Sequence, residues 1–277
     1  MSRRDSPTTV TIARQEDQRS DGEVPDRAAG QSGASVRAGE APIPSGVSLA
    51  GVAARYFRFV RQDILPLLPD SASCILDVGA GVGATSAWLR ARYPGSRTVA
   101  LEGNPALETE LRANCDEVHI VDLNSRLPDV GAPDLVLLLD VLEHLADPWS
   151  VLRNITSIMA PHATVIVSVP NIAHLSVSLP LLLRGAFKYR DAGILDRTHL
   201  RFFVRDSAVA LLNGAGLQVR TGLLTGFDGR RTILLDRLTL GRLRDRLAKQ
   251  YILAGRRFGA NESQGPVRWR PAGSGSP

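Results

Sequence analysis

The sequence contains only two cysteines, Cys74 and Cys115, among its 277 residues. Two thiols cannot supply a disulfide framework or the clustered ligands of a structural zinc site. Both lie in segments with the pattern of a core strand or a packed helix, so we interpret them as buried, reduced thiols. A disulfide-stabilised secreted domain is therefore not expected.

Long apolar runs are also absent. The longest, 135-LVLLL-139, is far shorter than the roughly 18 residues that a membrane-spanning helix needs. The first forty residues are polar and lack the apolar segment of a signal peptide. These absences predict a cytoplasmic protein without a transmembrane segment.

Acidic and basic residues are unevenly distributed along the chain. From Arg230 onwards there are eleven basic and three acidic residues, a surplus of eight, so the preceding residues sum to −3 within the net charge of +5. A slightly acidic body offers little attraction for a polyanion. We therefore expect no nucleic-acid partner and interpret the Arg-rich end mainly as a solvated surface.

Composition divides the chain into three parts. Residues 1–45 are rich in Ser, Gly, Pro and charged residues, and they lack a sustained apolar period. Residues 259–277 have a similar composition at their end. Both segments are predicted to be disordered, as a leader and a tail around one domain at residues 46–258.

Within this domain, short apolar segments alternate with helical patterns. The predicted strands cover residues 74–78, 97–102, 117–121, 134–140 and 163–169. Such alternation is typical of an α/β fold with a doubly wound, mostly parallel sheet. Ligands of these sheets bind beyond the carboxyl ends of the strands, where four consecutive predicted strands end in Asp77, Glu102, Asp122 and Asp140.

The loop after the first strand fits two cofactor patterns. Gly79, Gly81 and Ala84 fit the dinucleotide pattern G-x-G-x-x-G/A, and Gly79, Gly81 and Gly83 fit the G-x-G-x-G pattern of proteins that bind S-adenosylmethionine. The acids at the strand ends would repel the pyrophosphate of a dinucleotide. They would attract the sulfonium and amino groups of S-adenosylmethionine, which we therefore predict as the cofactor.

Five stretches together resemble class I S-adenosylmethionine-dependent methyltransferases of the bacterial small-molecule type, including those of ubiquinone biosynthesis and of natural-product or glycan clusters. The stretches are 75-ILDVGAGVGATSAWL-89, 101-LEGNP-105, 121-VDLN-124, 134-DLVLLLDVLEHLADP-148 and 162-HATVIVSVPN-171. The resemblance implies a Rossmann-like sheet of seven strands, completed by strands at 217–221 and 249–256, the last of them antiparallel. It also implies that residues 171–203 form a substrate cap inserted after strand five.

The same resemblance implies roles for individual residues. The acid of the first strand and the glycine loop would hold the methionine moiety, the acid of the second strand the ribose, and Asp122 with the Leu123 N–H the adenine. Asp140 and Val141 would line the floor of the cofactor site. The cofactor-binding residues expected in this way are Asp77, Gly79, Ala80, Gly81, Gly83, Glu102, Gly103, Asp122, Leu123, Asp140 and Val141.

Histidine is the natural candidate for the base that takes a proton from an acceptor hydroxyl. We predict His144 and His199 as catalytic residues, with structural hydrogen bonding as the alternative for each. On the substrate side we expect His174, Asp196, Arg197 and Arg201. A metal site built from Asp140, Glu143 and His199 fits no recognised ligand motif, so no metal is predicted.

The acceptor is expected to be a small molecule, because the cap combines 179-LPLLL-183 with basic residues. This mixture suits a natural product, a sugar or a lipid-linked intermediate, and we expect O-methylation in secondary metabolism. N- or C-methylation, a nucleic-acid or protein methyltransferase, a nicotinamide-dependent oxidoreductase and a non-catalytic subunit are the alternatives. The sequence does not decide between a monomer and a homodimer.

Overall fold

A computed structural model of the chain describes residues 59–227, 229–258 and 263–272. The predicted leader, the first residues of the predicted domain and the last five residues of the chain lie outside these ranges. Within them, no helix combines the length and the apolar character that crossing a bilayer would require.

Five parallel strands and the helices between them form the first half of the described domain. The strands are β1 (Cys74–Val78), β2 (Arg97–Glu102), β3 (Glu117–Ile120), β4 (Leu135–Leu139) and β5 (Thr164–Pro170). The helices are α1 (Ala84–Arg92), α2 (Glu108–Asn114) and α3 (Pro148–Ile158), and short 3₁₀ helices cover Gln62–Leu67, Pro105–Leu107 and Leu142–His144. All five predicted strands are therefore present.

The second half of the domain completes the sheet with antiparallel pairing. Its elements are α4 (Leu175–Arg184), α5 (Arg205–Gly214), β6 (Leu217–Thr225), α6 (Arg230–Leu238), α7 (Arg244–Leu247) and β7 (Gln250–Arg257). The strand order is β3-β2-β1-β4-β5-β7-β6-β8, in which β8 is Arg268–Pro271, and β7 runs antiparallel to both β5 and β6. The direction of winding reverses between β1 and β4, which is where such sheets bind ligands.

Helices cover both faces of the sheet, as its apolar strands require. On one face, α3 and α5 pack their apolar side chains against the strands through Leu152, Ile155 and Leu211. On the other face, Ile64 of the first 3₁₀ helix and Leu89 of α1 belong to a second core cluster. The predicted doubly wound α/β fold is confirmed.

The predicted number of seven strands is wrong, because Arg268–Pro271 form an eighth strand, β8, parallel to β6. Its anchor is Trp269, which lies over Gly222 of β6 and 5.7 Å from the Tyr251 ring centroid. A side chain at position 222 would collide with the indole. The alternation of arginines with an aromatic residue and a proline gave no apolar strand pattern, so β8 fell within the predicted tail.

The segment 171–203 leaves the sheet after β5 and returns to it. Its two ends meet at an isolated bridge between Asn171 and Phe203, and the Ile172 N–H donates to the Phe203 carbonyl at 3.0 Å. The buried Asn171 side chain donates to the carbonyls of Asp245 and Ala248 at 2.7 and 2.8 Å. The segment is thus a closed excursion, with α4 at its start, whose base is fixed to the sheet.

Candidate functional site

The loop between β1 and α1 makes a tight turn that requires glycine. Gly79, Gly81 and Gly83 have φ angles of 68°, 58° and 75°, in the region that disfavours other residues. A Cβ at Gly79 would lie 2.5 Å from Val141 Cγ2. The Gly79 N–H donates to the Leu101 carbonyl at 2.7 Å, so the loop is held against the ends of β2 and β4.

Glu102 at the end of β2 also fixes this loop. Its Oε2 accepts a hydrogen bond from the Gly81 N–H at 2.8 Å, and its Oε1 accepts one from the Asn104 N–H at 2.9 Å. A carboxylate has about four lone-pair positions, so capacity remains for ribose hydroxyls. Its placement therefore fits the role that the sequence predicts for it.

Asp77 lies near the end of β1 and is buried, with 3% of its surface exposed. Burial raises the pKa of this carboxyl to about 6, the Ser86 hydroxyl opposes the rise, and the charge of Glu102 adds to it. Ser86 Oγ donates to Asp77 Oδ2 at 2.6 Å. A cationic ligand above this carboxyl would favour its ionised form.

Asp122 follows β3 and is exposed. Its Oδ1 accepts hydrogen bonds from the Asn124 backbone at 2.9 Å and from the Asn124 side chain at 2.8 Å. These hydrogen bonds lower the pKa of Asp122. Leu123 beside it is buried. A Cβ added at Gly103 would lie 4.0 Å from the carbonyl oxygen of Val121.

Asp140, at the end of β4, belongs to a polar network that sequence reasoning missed. Its φ of 59° is unusual for a non-glycine residue. Arg61 Nη1 donates to Asp140 Oδ2 at 2.5 Å, Ser168 Oγ donates to Oδ1 at 2.9 Å, and Gln250 also donates to Oδ1. The Asp140 carboxylate is thereby directed at protein partners, while Val141 contacts the glycine loop.

Arg61 is the centre of that network and had no assigned role. Its side chain is largely buried and also contacts Asp63, with Nε–Oδ1 at 3.0 Å. The sequence offers one weak signal, a charged residue inside the apolar stretch 59-FVRQDILPLL-68. Only the tertiary structure shows that this arginine reaches the ends of β4 and β7.

The two predicted catalytic histidines lie together. The rings of His144 and His199 have centroids 4.8 Å apart and meet edge to face at 75°. Glu143 lies beside them, is 1% exposed, and neither of its carboxylate oxygens has a hydrogen-bond partner among the described residues. One ligand atom from each of the three residues lies within 4.8 Å of the others. We call these three residues the Glu143 cluster.

A second layer of hydrogen bonds orients both imidazoles. His199 Nδ1 lies 3.1 Å from the Ile194 carbonyl, and His144 Nδ1 lies 3.1 Å from Thr198 Oγ1. Thr198 Oγ1 donates to Asp196 Oδ1 at 2.7 Å, so it accepts from His144. Both Nδ1 atoms then carry hydrogen, which leaves the lone pair of each ring on Nε2.

The protonation state of His144 follows from its surroundings. Burial lowers the pKa of His144, and the neighbouring His199 lowers it further. His144 is therefore neutral at pH 7 and can accept a proton or coordinate a cation.

The remaining predicted substrate residues have partners of their own. His174 caps α4, since its Nδ1 accepts from the Ser176 N–H at 3.1 Å. Arg197 pairs with Asp191 at 2.6 Å on the surface. Arg201 donates through Nε to the Ala146 carbonyl at 3.1 Å. Of the four, Asp196 is the one that the structure links to the histidine pair through Thr198.

Comparison with known sequences identifies one matching family model, described as a methyltransferase domain, over residues 52–221. The chain is 25% identical over 111 residues to the trans-aconitate 2-methyltransferase of Escherichia coli, covering 39% of this chain and 44% of that protein. The corresponding protein of Methylobacterium radiotolerans is 29% identical over 98 residues, or 35% and 37% of the two chains. The matched stretch thus spans less than half the length of these relatives.

Solved structures share the fold. A chain from the complex of the Haloferax volcanii Trm112 methyltransferase activator with a methyltransferase superposes with a TM-score of 0.54 at 17% identity, covering 77% of this chain and 94% of that one. A SAM-dependent methyltransferase from Archaeoglobus fulgidus gives 0.51 at 18% identity, covering 76% and 95%. At this identity the likeness concerns the fold alone.

Proposed function

The chain belongs to the methyltransferase domain family, and from that premise we propose that it transfers a methyl group from S-adenosylmethionine to a hydroxyl group of a small-molecule acceptor. When bound, S-adenosylmethionine supplies an electrophilic methyl carbon on a sulfonium sulfur. The rest of the chemistry falls to the protein, which must hold the donor, align the acceptor oxygen and manage its proton.

The donor is proposed to bind at the ends of β1 and β2, beside the glycine loop. The left-handed turn around Gly79 and Gly81 leaves no room for a side chain against Val141, so the backbone itself forms the wall. Glu102 is held in place to accept hydrogen bonds from ribose. The buried Asp77 provides negative charge for the cationic end of the donor. These features support the cofactor roles predicted for the loop and for both acids.

The observation that carries O-methylation is the paired imidazoles of His144 and His199. A neutral amine already presents a lone pair, whereas a hydroxyl becomes a strong nucleophile only when its proton is removed. His144 is neutral at pH 7 because burial lowers its pKa, and its Nδ1 is fixed by Thr198. The pair is therefore built to activate a hydroxyl, which an amine acceptor would not require.

The exposed leucines of α4 are the observation that supports an acceptor with an apolar portion. Four leucines of this helix are exposed: Leu179, Leu181, Leu182 and Leu183 are 47%, 46%, 81% and 69% exposed. Basic residues flank them, including Arg184 and Lys188. This surface favours a natural product or a lipid-linked intermediate over a small polar acceptor.

The test is to replace each imidazole and to separate turnover from donor binding. His144→Ala and His199→Ala are expected to lower the release of S-adenosylhomocysteine by about 100-fold or more, measured with a panel of phenols, hydroxy acids and sugar alcohols. The dissociation constant of S-adenosylmethionine, measured by calorimetry, should stay within about threefold.

His119→Ala is the matched control, because His119 lies on β3 and pairs with Glu117. This variant should retain full turnover. Unchanged turnover in both His144→Ala and His199→Ala, or activity confined to amine acceptors added to the same panel, would refute the proposed hydroxyl acceptor.

A further inference from the structure

We infer that Glu143, His144 and His199 form a binding site for a divalent transition-metal ion. The first observation is the state of Glu143, which is 1% exposed and has two carboxylate oxygens without a hydrogen-bond partner among the described residues. A buried carboxylate without partners is strongly unfavourable, and such groups in folded proteins are generally paired or coordinate a metal. Two imidazoles are the groups that approach it.

The second observation is the geometry of the three residues. One ligand atom from each lies within 4.8 Å of the others. A cation bound about 2.1 Å from each atom needs a separation of at most about 4 Å, which side-chain shifts on the order of 1 Å would provide. Three protein ligands leave coordination positions open, as in catalytic zinc sites.

The donor set indicates which cations fit. Imidazole nitrogens suit Zn²⁺ and other first-row transition ions, whereas Mg²⁺ and Ca²⁺ prefer oxygen ligands alone. With two nitrogens and one carboxylate, the Glu143 cluster favours the first group.

The surrounding hydrogen bonds have the form of outer-shell support for metal ligands. His199 Nδ1 is bonded to the Ile194 carbonyl, and His144 Nδ1 is bonded through Thr198 to Asp196. Such partners fix the tautomer so that the opposite nitrogen faces the metal. The arrangement is the one that a metal-binding histidine requires.

The backbone also joins the two halves of the cluster. Glu143 and His144 lie in the 3₁₀ turn after β4, whereas His199 comes from the insert. The Leu200 and Arg201 N–H groups donate to the Glu143 carbonyl at 2.8 and 3.0 Å. The three side chains therefore stay together without a metal, and a cation would enter a largely formed site.

The role of this metal rests on the proposed function, whereas its binding does not. The cation would bind the acceptor hydroxyl at one of its open coordination positions. This would lower the pKa of the hydroxyl, so that its proton leaves to solvent. The two imidazoles would then activate the hydroxyl through the metal that they hold. An acceptor with two adjacent oxygens, such as a vicinal diol, a catechol or a 2-hydroxy acid, would chelate the ion.

The experiment measures metal binding to the full chain without donor or acceptor. After treatment with a chelator, the protein is titrated with Zn²⁺ by calorimetry, and with Co²⁺ by visible absorption. We expect one ion per chain, with a dissociation constant of about 10 µM or tighter. Glu143→Gln and His199→Ala should weaken binding by about 100-fold, and Thr198→Val, which removes only an outer-shell partner, by about tenfold.

The controls separate a ligand role from a fold defect. His119→Ala removes a histidine that pairs with Glu117 and lies outside the Glu143 cluster. This variant should bind Zn²⁺ like the unaltered chain. Glu143→Gln replaces a buried acid whose two oxygens have no partner among the described residues, so the metal-free variant should melt at the same or a higher temperature. It should lose the rise in melting temperature caused by Zn²⁺.

Absence of stoichiometric binding overturns the inference, as does binding that Glu143→Gln and His199→Ala leave unchanged. Metal binding without turnover of any hydroxyl acceptor would contradict the proposed function alone. Turnover by a metal-free protein that binds no Zn²⁺ would contradict the metal site alone.

Discussion

At the scale of single residues, Asp77 shows how burial and ligand charge act on one carboxyl group. Burial raises its pKa from 3.8 to about 6, so between these values the folded protein holds a proton that the unfolded chain has lost. The contribution of Asp77 to folding stability therefore falls as the pH rises from about 4 to 6. A shift of about two pKa units corresponds to roughly 3 kcal/mol, a cost that a bound cation would offset.

The first prediction concerns the pH dependence of donor binding. Because a cationic ligand favours the ionised carboxyl of Asp77, the affinity for S-adenosylmethionine should rise from pH 5 to pH 7, with a midpoint near the pKa of about 6. Calorimetry at constant ionic strength measures this profile. In Asp77→Asn the profile should be flat and the affinity at pH 7 lower, while thermal stability at pH 7 should be equal or higher.

Asp129→Asn serves as the control, since Asp129 lies in a loop and accepts a hydrogen bond from the Gly131 N–H. Its pH profile should match that of the unaltered chain. The same rising profile in Asp77→Asn would mean that another group binds the cation.

The second prediction separates backbone strain from steric conflict in the glycine loop. Gly79 and Gly95 both have positive φ, at 68° and 85°. A Cβ at Gly79 would approach Val141 Cγ2 to 2.5 Å, whereas a Cβ at Gly95 would meet no atom within 4 Å. Gly95→Ala should therefore cost about 1–2 kcal/mol of unfolding free energy from strain alone, and Gly79→Ala about 1–3 kcal/mol more.

Urea denaturation of both variants gives the two free energies, and calorimetry gives their donor affinities. Gly79→Ala should also lose affinity for S-adenosylmethionine by at least about tenfold, because the loop wall would move. Equal destabilisation and unaltered donor binding in both variants would show that the contact with Val141 does not shape the site.

At the scale of elements, β8 contributes through one aromatic side chain. Trp269 covers Gly222, meets the ring of the fully buried Tyr251 and has the Arg205 guanidinium 5.7 Å from its ring centroid. Its strand pairs with β6 over four residues. The element thus forms the edge of the sheet beyond β6.

The third prediction is that truncation after residue 262 destabilises the domain. Loss of β8 exposes the Trp269 contact surface and the edge of β6, which should lower the unfolding free energy by about 2–4 kcal/mol. Chemical denaturation measures the change. Truncation after residue 272, which retains β8, is the control and should leave the midpoint unaltered. Equal midpoints for both truncations would show that β8 adds no stability.

At the scale of the whole molecule, a ligand that binds the folded chain must raise its melting temperature. At a concentration of about 100 times the dissociation constant, the expected gain is about 2.7 kcal/mol. For a domain of this size, about 2–4 °C accompany each kcal/mol. The fourth prediction is that S-adenosylmethionine or S-adenosylhomocysteine raises the melting temperature by roughly 5–10 °C.

NAD and NADP provide the matched comparison, because they share the adenosine group but bring a pyrophosphate to the glycine loop. With Asp77 and Glu102 at that loop, neither dinucleotide should shift the melting temperature at the same concentration. A shift with NAD and none with S-adenosylmethionine would favour the oxidoreductase alternative.

Local pattern determined much of this protein. The continuous apolar run at Leu135–Leu139 predicts a strand that is buried on both faces. The glycines after Val78 predict a loop with left-handed backbone. The alternation of such segments with helices was enough for the doubly wound sheet, and the acids at the strand ends were enough to favour S-adenosylmethionine over a dinucleotide.

Only the tertiary structure decided which distant side chains meet. Arg61 reaches Asp140 across 79 positions of sequence, and β8 joins the sheet through the packing of Trp269 on Gly222. The same holds for Glu143, whose sequence position between Leu142 and His144 does not reveal that it is buried without a partner. Contacts of this kind depend on how separate chain segments pack. The residue pattern within one segment therefore does not predict them.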